Sequence, residues 1–144
     1  MLVHQILKSK SDDGVATIAP DLTVAQAVDM LSARRIGALI VSTDGKVALG
    51  ILSERDVVRE LGRRGPAILA EKVEAMMTRD LVGCTRDDSA DVVLERMTNG
   101  RFRHMPVIEA GEMVGLISIG DVVKARLLDL AAEKDALEGM IKGF

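Results

Sequence analysis

Gly50-Ile51-Leu52-Ser53-Glu54-Arg55-Asp56-Val57-Val58 is matched by Gly115-Leu116-Ile117-Ser118-Ile119-Gly120-Asp121-Val122-Val123, with glycine, serine, aspartate and paired valines each displaced by 65 positions. The chain therefore carries an internal repeat, which takes precedence over any element-by-element reading. Each copy is a short apolar run ending in Ser, with Asp three residues on and apolar residues after it. That pattern predicts a strand that turns into a helix through a Ser-x-x-Asp start. Such a start has two readings. It caps a helix, as a relative of the Ser-x-x-Glu capping box, stabilising it by about 1 kcal/mol. It also presents amide N–H groups that favour anions and a carboxylate that can accept from hydroxyls.

A 65-residue repeat in a chain of 144 residues implies two similar halves, each marginally stable by itself. With 48% hydrophobic and 28% charged residues the chain is globular. A net charge of −3 lacks the basic footprint of a nucleic-acid binder, and only Phe102 and Phe144 are aromatic, so no platform for base stacking is expected. A purine would have to be gripped by aliphatic side chains and backbone. The single Cys84 excludes an internal disulfide, and His4 and His104 alone make no zinc-ligand spacing. Cys84 is expected to be an inert packing residue. No apolar run approaches the roughly 18 residues of a membrane span, and the apolar run near the N-terminus is too short for a secretory leader. A soluble, cytoplasmic protein with no membrane and no nucleic-acid partner is expected.

Val3, Ile6 and Leu7 share helical spacing with Val73, Met76 and Met77, so each half opens on a short amphipathic turn. Residues 9–14 read as a turn, Val15 to Ile18 as a strand, and Leu81 to Thr85 as its counterpart. Thr23-x-x-Gln26 is a capping box opening a helix with Val24, Ala27, Val28 and Leu31 on one face; Ser89, Ala90, Val93, Leu94 and Met97 repeat it. Arg34-Arg35 and Arg101-Phe102-Arg103 follow these helices, where basic residues suit the dipole. Strands are expected at Ile36 to Val41 and Met105 to Ile108, then turns at residues 43–46 and 109–112, then strands at Val47 to Leu52 and Met113 to Ile117. The first closing helix is expected to run to about Leu61, ended by Gly62 and Gly65-Pro66. The second is longer and has interleaved apolar and charged positions that suit a partner helix.

Each half thus reads as turn, strand, helix, strand, strand, helix. Together with Arg34-Arg35-Ile36-Gly37-Ala38-Leu39-Ile40-Val41, Arg103-His104-Met105-Pro106-Val107-Ile108 and the doubled opening motif, the chain resembles a tandem pair of CBS domains, a Bateman module of the stand-alone bacterial kind. The resemblance implies an α/β (α+β) fold of two pseudo-symmetric β-α-β-β-α repeats packed through their sheets. Repeat 1 is expected at residues 3–65, a partly helical linker at 66–80, repeat 2 at 81–130 and a helical tail at 131–144. It further implies an adenosine-containing ligand such as AMP, ATP or NAD, with S-adenosylmethionine behind them, and a homodimer with a further protein partner to read the signal.

Carried over by resemblance, Asp56 would hold ribose, with Ser53 and Arg55 near phosphate and Arg101, Arg103 and His104 as further phosphate candidates. Adenine would lie against Thr17, Ala19, Pro20 and Gly37-Ala38-Leu39, and Met105 and Pro106 occupy the matching stretch of the second half. Ser118 and Asp121 form the second site. There Ile119-Gly120 stand in place of Glu54-Arg55, so a cation is missing that Arg34 and Arg35 could supply. His104 could equally be a packed histidine. Two readings stay open: a regulatory nucleotide-binding module, or a ligand-free dimeric scaffold. Catalysis is not expected, because no nucleophile elbow, phosphate loop or metal signature occurs and Asp56 with His104 offers only a conjectural acid–base pair.

Overall fold

The computed structural model describes residues 1–10 and 14–143. Among them the element order is α1 (Val3–Ser9), β1 (Thr17–Ile18), α2 (Val24–Arg34), β2 (Ala38–Val41), β3 (Gly50–Ser53), α3 (Glu54–Arg64), α4 (Val73–Met76), α5 (Ala90–Gly100), β4 (His104–Glu109), β5 (Glu112–Ser118) and α6 (Ile119–Lys142), with a 3-10 turn at Pro66–Ala70. The fold is mixed α and β, as the pattern predicts. Of the turn expected at residues 9–14, positions 11–13 lie outside the described residues.

The chain divides into two compact units, one of Asp13–Leu81 with Glu109–Val114, the other of Met1–Asp12, Val82–Ile108 and Gly115–Phe144. In the first, β2 is central, parallel to β1 (Thr17↔Ile40) and antiparallel to β3 (Leu39↔Leu52). The parallel pair requires a crossover, and α2 provides it. All four residues of β2 are buried, so this strand is covered on both faces. Leu39 and Leu52 are fully buried, each stabilising the unit by roughly 1.5–3 kcal/mol. Val24, Ala27 and Leu31 turn the predicted face of α2 into the same core.

β4 and β5 form a hairpin, with residues 104–108 and 115–118 in the second unit and 109–114 counted with the first. Its two turn residues, Ala110 at φ 51° and Gly111 at φ 80°, have the left-handed values that a two-residue hairpin matching strand twist requires. Val93 and Met97 of α5 and Val122 and Ala125 of α6 are buried in the second unit.

The units do not coincide with the repeats taken as blocks. Although α1 opens the first repeat in sequence, it belongs with the second repeat's elements: Val3 N–H donates to Asp88 O at 2.9 Å and Ala90 N–H to Met1 O at 2.9 Å. The reciprocal holds for α4, where Val73 N–H donates to Leu22 O at 2.8 Å and Val24 N–H to Glu71 O at 2.9 Å. Each short helix thus uses its free backbone groups to pair with the segment before α5 or α2, respectively, and buries Val3 and Ile6, or Val73 and Met76.

Three local expectations need correction. The strand expected from Val47 begins only at Gly50, because Asp44 Oδ1 accepts from the N–H groups of Lys46 (2.8 Å) and Val47 (2.9 Å) and folds that stretch into a loop. The segment Leu81 to Thr85 makes only a single parallel bridge, Cys84 to Val107, in place of a strand. Helix α3 passes through Gly62 and ends at Gly65, whose positive φ of 80° suits glycine. Cys84 is buried, in keeping with a packing role.

Candidate functional site

Both copies of the repeated motif fold into the same junction. Ser53 has extended backbone and caps α3, its Oγ accepting from Asp56 N–H at 3.3 Å, while Asp56 Oδ2 accepts from Ser53 N–H at 3.0 Å and from Ser53 Oγ at 2.9 Å. Ser118 caps α6 likewise: its Oγ accepts from Asp121 N–H at 3.2 Å, and Asp121 Oδ2 accepts from Ser118 N–H at 2.9 Å. The capping reading of Ser-x-x-Asp is therefore correct at both places. The first amide of each helix is also spoken for, Glu54 N–H by Gly37 O at 2.9 Å and Ile119 N–H by Arg103 O at 2.8 Å. Those bonds bring the backbone of the Gly37 and Arg103 junctions, each within its own unit, against the carboxylate-bearing turn.

The two carboxylates differ in their cations. Asp56 is 9% exposed, and its Oδ1 accepts from Arg59 Nη2 at 3.0 Å, one turn along the same helix. Asp121 is only half-buried, and its Oδ2 holds Lys10 Nζ at 2.8 Å. Burial pushes the Asp121 carboxyl up, but hydrogen bonds from Lys10 and the Ser118 N–H outweigh it and hold the group below the ordinary carboxylate value. Neither Arg59 nor Lys10 was a sequence candidate. Arg59 had a signal, since Asp and Arg three apart on a helix face each other. Lys10 had none, lying 111 positions from its partner.

The predicted residues distribute as follows. In β1 and the segment after it, Thr17, Ala19 and Pro20 are half-buried, as is Gly37 before β2. Ala38 is buried, and Leu39 and Met105 are buried completely, so neither of these last two presents surface to a ligand. Pro106 is buried, and its carbonyl accepts Cys84 N–H at 3.0 Å. Arg34, Arg35, Arg55, Arg101 and Arg103 are exposed, and His104 is half-buried.

Arg35 and Arg101 have a conformation that their sequence did not announce. Each ends its helix in the left-handed region, at φ 53° and 56°. Ile36 N–H donates back to Leu31 O at 3.1 Å, and Phe102 N–H to Met97 O at 3.2 Å. This is the helix-terminating motif that glycine normally serves, built twice with arginine.

Comparison with known proteins agrees with the doubled junction. The CBS domain family model matches residues 8–63 and 73–128. The chain is similar to the CBS-domain containing protein ATU1752 from Agrobacterium tumefaciens, at 44% identity and a TM-score of 0.82, covering 88% of this chain and 99% of that one. It is 35% identical over 148 residues to the mitochondrial CBS domain-containing protein CBSX3 of Arabidopsis thaliana, covering 98% of this chain and 72% of the relative. The CBS domain pair of protein MJ0100, solved in complex with methylthioadenosine and S-adenosylmethionine, shares the fold at 21% identity and a TM-score of 0.74, over 90% of this chain and 96% of that one. With one family match spanning each copy of the capped Ser-x-x-Asp junction, the chain belongs to the CBS domain family as a tandem pair.

Proposed function

We propose that the protein is a non-catalytic regulatory module that binds an adenosine-containing ligand, of the AMP, ATP or NAD type, at its strand-to-helix junctions. The observation that carries this reading is the doubled carboxylate, held by its own helix cap and flanked by a cation in each unit. A ribose diol donates two hydrogen bonds, and a carboxylate fixed by backbone N–H groups accepts them without first having to be ordered. The adenosine ligands of the MJ0100 pair point to the same chemical class. At Asp56 the diol takes the place of Arg59, whose side chain is 56% exposed and able to swing away. Arg55, Arg101 and Arg103 are exposed guanidinium groups suited to phosphate. Regulation follows if the ligand binds one conformation better than another and a protein partner reads the shift.

Calorimetric titration of AMP, ATP and NAD into the purified protein tests this. Absence of heat with all three at millimolar concentration rejects it. With ligand at about 100 times Kd the stability should rise by about 2.7 kcal/mol, and Asp56→Ala should remove most of the accompanying rise in melting temperature.

We further propose a homodimer formed through α6. Val123, Leu127 and Leu130, and after a gap of one heptad Leu137 and Ile141, stand at steps of four, three, seven and four residues along it and are all exposed. Sedimentation velocity should give a dimer at micromolar concentration, and a chain ending at Leu130 should sediment as a monomer. A full-length monomer, or a dimer that survives the truncation, rejects this interface.

A further inference from the structure

The nucleotide reading treats the two junctions alike, but their edges differ. Beside Asp56, β3 is closed by backbone: Ile51 N–H donates to Thr78 O at 3.0 Å and Thr78 N–H to Ile51 O at 2.9 Å. At the equivalent place beside Asp121, Leu116 O accepts a side chain, Lys10 Nζ at 2.8 Å. The same ammonium lies 2.8 Å from Asp121 Oδ2, so Lys10 bridges the last strand and the start of α6 within one unit. The sequence gap left by Ile119-Gly120 is thus filled from α1's C-terminal side.

We propose that Lys10 sets the specificity of the Asp121 site, making it favour adenosine ligands with an anionic 5′ group over neutral ones; this rests on the nucleotide reading above. Asp121 Oδ2 already accepts from Ser118 N–H and from Lys10. A ribose diol that reaches this oxygen must displace the ammonium. Lys10 and Asp121 have 36% and 22% of their side chains exposed, so their pairing is partly desolvated and its loss is felt. A neutral nucleoside gives the released ammonium no counter-charge. A 5′-phosphate gives it one, through a charge-assisted hydrogen bond roughly twice as strong as a neutral one. The Asp56 site works differently, because Arg59 comes from the site's own helix and is more exposed.

The test compares AMP with adenosine by calorimetry in the full chain carrying Asp56→Asn, with and without Lys10→Met. Expected is a preference for AMP of about tenfold or more, corresponding to 1.4 kcal/mol, that narrows several-fold in Lys10→Met, chiefly because adenosine binds more tightly, and that persists in Lys10→Arg. An AMP-to-adenosine ratio that Lys10→Met leaves unchanged overturns the proposal, as does Asp56→Asn abolishing all binding while the native chain binds. A native chain that binds neither compound rejects the nucleotide reading itself. If Asp56→Asn fails to fold, the ratio is read in the otherwise native chain as the component of binding lost on Asp121→Asn, with the same outcomes.

Discussion

Gly50 and Gly115 head the repeated motif for a steric reason. A Cβ at Gly50 would lie 2.6 Å from Met77 Sδ and 2.8 Å from the Thr78 carbonyl oxygen. At Gly115 it would lie 2.7 Å from Leu7 Cδ2, the end of a flexible side chain. The same substitution should therefore cost different amounts. Gly50→Ala pushes against backbone that is hydrogen-bonded to Ile51, and should destabilise by about 1–3 kcal/mol. Gly115→Ala can be relieved by a rotamer change of Leu7 and should cost less. Urea midpoints of the two variants check this ordering, and equal losses would contradict it. Both glycines, serines and aspartates were legible in the sequence, because each does its work within a few residues of itself. The cations were not equally legible: Arg59 follows from helical spacing, whereas Lys10 meets Asp121 only because α1 and α6 belong to one unit.

At the level of elements, the capped helices follow from local chemistry. Thr23 and Gln26 exchange the bonds of a capping box, Gln26 N–H to Thr23 Oγ1 at 3.2 Å and Thr23 N–H to Gln26 Oε1 at 2.9 Å, as their spacing predicts. The C-terminal ends of α2 and α5 are less economical. Holding an L residue at positive φ costs about 1–2 kcal/mol, and glycine avoids it at the expense of greater freedom in the unfolded chain. Arg35→Gly and Arg101→Gly should each raise stability by about 0.5–1 kcal/mol, seen as a melting temperature a few degrees higher. If the arginines contact phosphate, the same variants should bind AMP more weakly than the native chain. A loss of stability in both would show that their side chains hold the helix ends by packing. One element that periodicity misjudged was the strand expected at Val47, where a single carboxylate, Asp44, captured two backbone N–H groups that a strand would have needed.

For the molecule as a whole, several carboxylates are held below their ordinary values. Glu71 and Glu60 are lowered above all by hydrogen bonds from Arg64, Asp88 by the Thr85 N–H, and Asp121 by Lys10 and the Ser118 N–H in excess of what burial takes away. These groups bind protons more readily in the unfolded chain, so acid favours unfolding. Their contribution is complete above the ordinary values of 4.5 for Glu and 3.8 for Asp, and is lost as pH falls through the lower values of the folded state. Melting temperature should thus be flat from neutral pH down to about 5 and fall steeply below about 4. In Lys10→Met the acid limb should be shallower, because Asp121 loses the partner that lowers it. A melting temperature that rises as the pH is taken further into the acid range would reverse this account.

The doubled motif, the helix caps, the buried faces of α2 and α5 and the hairpin at Ala110-Gly111 were all inscribed in residues adjacent or nearly adjacent in the chain, where hydrogen-bond reach and side-chain period leave a readable pattern. The assignment of α1 to the unit of α5 and α6, the assignment of α4 to the unit of β1 to β3, and the seating of Lys10 on Asp121 had no such pattern. They depend on which free backbone groups and apolar faces find each other after collapse, across as many as 111 positions of chain, and spacing along a sequence carries no record of that meeting.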